Sequence, residues 1–372
     1  MYSNISYFKG LNALRFFAAY LVLIHHLEQI RLKNNLFNFK EYSLFNNGGL
    51  AVSFFFVLSG FLITYLLLIE VHEKGLINIK NFYIRRILRI WPLYFILIII
   101  GTLLIPFLIQ VFNVNYSMPY SFSDVILYYI FFSPFLVNMF FGHHLLEPLW
   151  SIGVEEIFYI FWAPLVKFFY QYIFILSFSI ILLKVFLLLA IQKYYHSEFA
   201  ISLLKTLSFE SMAVGALGAS YIYHLKKNIN ELRLFSKLFQ FIFLIIIFSR
   251  LLFFKTFNNI FFISKTSHYL LDLSFDFLFL WLIINLSLND KSVIKLNHKL
   301  LNMLGDISYG IYMYHMVVIF FLVFIFSKFF TSSDNFFMWV VFYLLATMLT
   351  ILVSYLSKNF FENKFLKLKK KY

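Results

Sequence analysis

The sequence contains no cysteine, which excludes disulfide bonds, thiolate catalysis and cysteine-ligated metal sites. Charge is scarce as well. Asp, Glu, Lys and Arg make up 13% of the 372 residues, about half the share usual in soluble chains. Apolar residues reach 62%, with 54 Phe among them, and the mean hydropathy is +0.83; soluble proteins run at roughly 45–50% apolar. One soluble core of this size could not bury so much apolar surface. Composition therefore calls for a polytopic membrane protein. No Gly/Ser linker, internal repeat or soluble domain interrupts the pattern. The expectation is a single membrane-embedded domain over residues 1–372, with a basic tail at 358–372 and no appended soluble domain.

Runs of the roughly 17–25 apolar residues that a bilayer requires fall near 10–30, 49–70, 91–111, 151–170, 172–192, 200–223, 234–254, 270–288, 303–327 and 336–357. The fold class expected is all-α, a transmembrane helical bundle of about ten spans. The apolar stretch from Asp124 to Phe141 carries Ser133-Pro134 and ends at Gly142-His143-His144, so it reads as a re-entrant or surface-lying segment. The first span holds Arg15 and lacks a small-residue cleavage site, which argues against a removable leader.

With ten spans and a cytoplasmic N-terminus, the inner loops collect twenty Lys and Arg, chiefly at 74–89, 226–237, 291–299 and 358–371. The outer loops hold seven: Arg31, Lys33, Lys40, Lys193, Lys255, Lys265 and Lys328. That bias places both termini in the cytoplasm. The net charge of +14 is spread over several loops and forms no single stripe, which argues against a nucleic-acid partner. The partner implied is the lipid bilayer, and the Lys364 to Lys371 tail reads most simply as a lipid-facing anchor.

Ionisable groups inside spans cost at least roughly 2.5–3.5 kcal/mol near the bilayer centre, so each is a candidate for function. Arg15 and His26 are eleven residues apart. On a helix they differ by only about 20° in direction and are separated by about 16 Å along the axis, whereas His25 points about 80° away from Arg15. A snorkelling Arg and an interfacial His are the plainer alternative. Ser59 and Gly60 in the second span permit close approach by a ligand or by another helix. Arg85 and Arg86 both stand at helical spacing from Arg89, so the three guanidinium groups converge as phosphate-binding forks would; a topology anchor is the competing reading. In Trp150-Ser151-Ile152-Gly153-Val154-Glu155-Glu156, Ser151 and Glu155 share a face, and the carboxylates at the head of the span gain from its dipole. His315 lies inside the ninth span, where a hydrogen-bonded core role is the simpler account. His143, His144 and Glu147 read as a wet outer loop, and no metal site is expected.

Taken in order, these segments resemble the acyltransferase-3 family of integral-membrane O-acyltransferases, over essentially the whole chain. The family's Arg, ten residues, then His falls on Arg15 and His26. Its FFVLSGFLIT element is Phe55 to Thr64, its RxxR is Arg86 to Arg89, its WSLxVEExFY element runs from Trp150 to Tyr159, and its SYGIYxxH element is Ser308 to His315. Two departures, Ile152 for Leu and Glu362-Asn363-Lys364 for a terminal Glu-x-Pro, touch none of the proposed chemistry.

The resemblance implies an enzyme of the bacterial inner (cytoplasmic) membrane. It would move an acyl group, acetyl above all, from cytoplasmic acyl-CoA to a hydroxyl of a surface polysaccharide such as lipopolysaccharide, or of its lipid-linked precursor. Acyl-CoA would be a co-substrate, with no tightly bound cofactor and no metal. His26 would act as the base, oriented by Glu155. Arg85, Arg86 and Arg89 would hold the donor phosphates and Arg15 the pantetheine arm. Ser59, Gly60, Trp150, Ser151 and His315 would support the site. The alternatives are a transporter or flippase of a glycan or acyl carrier, or an acyltransferase acting on a small molecule, a lipid or peptidoglycan.

Overall fold

The computed structural model describes residues 5, 7–113, 117–195, 197–253, 256, 265–329, 335–369 and 371; Lys255, Lys370 and the last residue of the expected 234–254 span lie outside them. The described residues form helices and no strand. Seven helical stretches among them are long and apolar enough to cross a bilayer: Gly48–Lys74, Ile79–Val111, Leu149–Tyr195, Glu198–His224, His268–Leu288, Ser308–Phe326 and Phe336–Lys369. The 149–195 stretch contains two of the expected spans, α7 (Leu149–Phe169) and α8 (Ile173–Ala190), divided by a tight turn at Tyr170–Tyr172. The opening helix α1 (Leu11–Lys33) carries Arg15, Glu28, Arg31 and Lys33 and is not among the seven.

Helix ends follow local side-chain chemistry. α2 (Gly48–Lys74) stops at Gly75, whose φ of 73° is open to glycine and whose N–H donates to Val71 O. Asn78 caps α3 (Ile79–Ile99) by accepting from Asn81 N. A wide turn at Ile100–Leu104 carries α3 into α4 (Ile105–Val111). Ser121 and Asp124 form a reciprocal capping box at the start of α5 (Phe122–Ile130), and α6 (Pro134–Phe141) follows. At nine and eight residues, α5 and α6 are each too short to cross.

The chain forms two compact units. The first holds residues 1–18, 42–77 and 158–305, the second 19–41, 78–157 and 306–372. In the first unit α2 packs against α10 (Phe209–His224). The two backbones approach so closely that a Cβ on Gly60 would stand 1.9 Å from Met212 O, and one on Gly215 would stand 2.0 Å from Val57 O. Buried polar groups in this unit pair across helices. Lys184 of α8 donates to Glu210 of α10 at 2.6 Å, Ser211 donates to Asp276 of α12 (Lys265–Leu288) at 2.7 Å, and Trp162 donates to Thr64 at 2.7 Å. Pairing of this kind is what makes charge tolerable in an apolar medium. Outward faces stay apolar, as Phe161 and Phe186 illustrate.

The second unit joins the end of α1, α3 to α6 and the start of α7 with the C-terminal helices. These are α14 (Ser308–Phe329), α15 (Phe336–Ser357) and α16 (Asn363–Lys369); α9 (Glu198–Thr206), α11 (Lys237–Leu252) and all of α13 (Lys299–Asp306) but Asp306 belong to the first unit. α14 lies along α15, and α16 packs on α3.

Candidate active site

A ladder of polar side chains runs through the second unit along one side of α14. Tyr309, Tyr312 and His315 recur at intervals of three, and their ring-bearing side chains meet three different elements. Tyr309 OH donates to Ile90 O at 2.9 Å, one residue beyond Arg89. Tyr312 OH contacts Ser151 Oγ at 2.7 Å and donates to Pro148 O at 3.0 Å. His315, fully buried, meets His26, which is 9% exposed, with Nε2 to Nδ1 at 3.1 Å. Six residues of rise separate Tyr309 from His315, or about 9 Å along the helix.

The contacts of the two imidazoles fix their tautomers. His315 Nδ1 lies 2.6 Å from Tyr312 O, and a carbonyl only accepts, so that nitrogen carries the proton and Nε2 keeps its lone pair. His26 Nδ1 lies 3.0 Å from Val22 O and 3.1 Å from His315 Nε2; both are acceptors, so this nitrogen is protonated too. In the neutral ring His26 Nε2 then keeps its lone pair, and it has no hydrogen-bond partner among the described residues. That is the state a general base needs. The neighbour His25 turns elsewhere and accepts from Lys40 Nζ at 3.3 Å. Burial pushes the Lys40 ammonium below the usual lysine range, and the Glu28 carboxylate offsets part of that.

Around His26 the end of α1 is anchored by charge. Glu28 accepts from Trp339 Nε1 at 2.7 Å, from Tyr343 OH at 2.6 Å and from Phe39 N. Arg31 donates to Phe37 O at 2.8 Å and lies over the Phe342 ring at 4.9 Å. Arg31 thus ends up wholly buried in α1, not in the outer loop where the span limits put it. On α3, Arg86 lies over Phe82 at 5.7 Å and within electrostatic reach of Glu156, whose carboxylate accepts from Trp91 Nε1 at 3.0 Å.

A family model described as an acyltransferase domain matches residues 8–358. The chain belongs to the acyltransferase-3 family. Its apolar helices of membrane-crossing length and its family suit a multi-pass membrane protein. A protein of Staphylococcus aureus (strain COL), named "Putative O-acetyltransferase", is 34% identical over 168 residues, 43% of this chain and 25% of that one. The peptidoglycan O-acetyltransferase of Listeria monocytogenes is 27% identical over 172 residues, 45% of this chain and 25% of its own length. The match thus spans about a quarter of these relatives. No solved structure matches the chain.

Against this family background the expected residues divide. His26, His315, Ser151 and Trp150 fall in the second unit with Glu155 and the three arginines, and the first three sit on the ladder. Arg15 belongs to the first unit, where it donates to Asn12 Oδ1 at 3.0 Å. Ser59 and Gly60 also lie in the first unit. Ser59 Oγ bonds the Tyr159 hydroxyl, and Gly60 is small because α10 needs its place; both serve helix packing there.

Three expectations change. Glu155 is not a hydrogen-bond partner of His26; an imidazole, His315, takes that place. α7 begins at Leu149, so Glu155 and Glu156 stand beyond its first turn, where the end dipole has faded. His144 is buried, not wet. It contacts Asn138 Oδ1 at 2.8 Å and Tyr120 OH at 3.1 Å, and burial pushes its imidazole down to about 3. Among the described residues no group of side chains is arranged to hold a metal.

Glu28, Tyr309 and Tyr312 were not singled out from the sequence. The two tyrosines stood inside a quoted motif at helical spacing from His315, a signal that was available. Glu28 gave none, because its partners Trp339 and Tyr343 come more than three hundred residues later.

Proposed function

We propose that this enzyme transfers an acyl group, acetyl in the first instance, from cytoplasmic acyl-CoA to a hydroxyl of a cell-surface polysaccharide or its lipid-linked precursor. The His26–His315 pair, with one lone pair left available on His26, carries this reading. His26 Nε2 takes the proton of the acceptor hydroxyl as its oxygen attacks the thioester carbonyl. The C–S bond of the tetrahedral adduct then breaks, and the proton passes to the departing thiolate, giving an ester and free CoA. Arg86 and Arg89, with Arg85, hold the donor phosphates. Glu155, Ser151 and Trp150 support the ladder from α7. No resident cofactor is required.

The bilayer is the bacterial inner membrane, crossed ten times with both termini in the cytoplasm; the uneven distribution of Lys and Arg between loops supports that orientation. The Listeria relative's name favours peptidoglycan as a second acceptor. Purified protein in proteoliposomes, given labelled acetyl-CoA and separate lipopolysaccharide, capsule and peptidoglycan fractions, distinguishes them. His26→Ala should abolish transfer while insertion stays intact; full activity in that variant refutes the assignment. Arg86→Gln with Arg89→Gln should raise the KM for acetyl-CoA.

A further inference from the structure

The tail helix α16 was expected to do no more than face lipid. In the second unit it packs on α3, on the side that carries Arg85, Arg86 and Arg89. Lys369, half-buried, has Arg89, Arg86, Arg85 and Lys358 as its electrostatic neighbours, and all four are cations. Lys358 is paired with Glu362 at 3.9 Å. Arg89 and Lys369 make no ion pair among the described residues. Glu362 lies within electrostatic reach of Arg89 and Lys358, Asp306 of Lys358 and Glu156 of Arg86. The five cations outnumber these three carboxylates, and that surplus suits an anion of several charges. A free tail anchoring to lipid would have no reason to fold back onto three arginines.

We propose that α16 forms part of the donor site, with Lys369 and Lys358 joining the three arginines around the phosphorylated adenosine diphosphate of acyl-CoA. This rests on the reading that acyl-CoA is the donor. Planar guanidinium forks suit the phosphate oxygens, and the ammonium groups add point charges on the opposite side. Anionic lipid headgroups offer the same phosphate chemistry, so the test separates the two sources.

The experiment compares wild type, Lys369→Gln and Lys367→Gln in proteoliposomes of phosphatidylcholine, with and without phosphatidylglycerol. Transfer from labelled acetyl-CoA is followed, with adenosine 3′,5′-bisphosphate as competitor. Lys367 is exposed in the same turn and is absent from the electrostatic neighbours of Lys369, so it controls for net charge. Lys369→Gln should raise the KM for acetyl-CoA about tenfold, weaken competition by the bisphosphate to match, and leave kcat unchanged, in both vesicle types. Lys367→Gln should behave as wild type. An unchanged KM in Lys369→Gln, with an active wild type, overturns the proposal alone. A KM effect present only with phosphatidylglycerol assigns the cluster to lipid and also overturns it. No transfer by wild type from acetyl-CoA removes the donor reading, and this proposal falls with it.

Discussion

The tautomer assignment at the histidine pair makes a quantitative prediction about how two substitutions combine. His26→Ala removes the proposed base, and a positioned general base typically supplies about 10²–10⁴-fold. His315→Ala leaves His26 in place but removes the acceptor at 3.1 Å from its Nδ1, so the ring keeps only its bond to Val22 O. Losing one buried hydrogen bond costs about 1–3 kcal/mol, which at 1.36 kcal/mol per decade is about 5- to 150-fold in kcat. His315 acts through His26, so the double variant should be no slower than His26→Ala alone. Single-turnover transfer of labelled acetyl groups in proteoliposomes measures all three. Multiplicative losses in the double variant would mean that His315 touches substrate directly, and the ladder reading would have to be abandoned.

Other outcomes follow from the packing. Gly60→Ala places a methyl 1.9 Å from Met212 O, so α2 and α10 must separate; the detergent-solubilised variant should melt lower by more than the ~1–3 kcal/mol usual for overpacking. Glu210→Ala strands the buried Lys184 ammonium and should cost about 3–5 kcal/mol, whereas Glu210→Leu with Lys184→Met should recover most of it; equal melting points for the two variants would contradict that pairing. His144 is held neutral in the fold down to about 3, while the unfolded chain takes up a proton near 6.5. Its contribution is complete above that point and is lost as pH falls from about 6.5 toward 3. The melting gap between wild type and His144→Gln should narrow from pH 7 to pH 4, and parallel curves would show that His144 is not held neutral.

The helical class and the membrane setting were readable from hydropathy and motif spacing, because both are local properties. His26 against His25 was decided by an angle of rotation on one helix, and the structure turns the two rings to different partners. Pairings between distant segments were not readable. Glu155 was favoured over Glu156 on its spacing from Ser151, yet the buried carboxylate that meets Trp91 is Glu156, a choice made by α3 and invisible on α7 alone. Gly60 is compatible with a ligand or with a helix until Met212 is seen against it. Arg31 looked like a loop charge because apolar runs end where polarity begins, whereas α1 continues to Lys33 and buries the guanidinium against Phe342.

Pairing one imidazole with another, in place of the carboxylate found in Ser-His-Asp hydrolases, has an electrical consequence. If His26 is the base, a pair of neutral rings in these tautomers needs no ion kept inside a low-dielectric medium between turnovers. Positive charge arises only as the alcohol is deprotonated, and the second ring's lone pair is already aimed at the N–H that becomes most acidic at that instant. The stabilisation is thereby confined to the transition state, where it raises turnover without tightening ground-state binding.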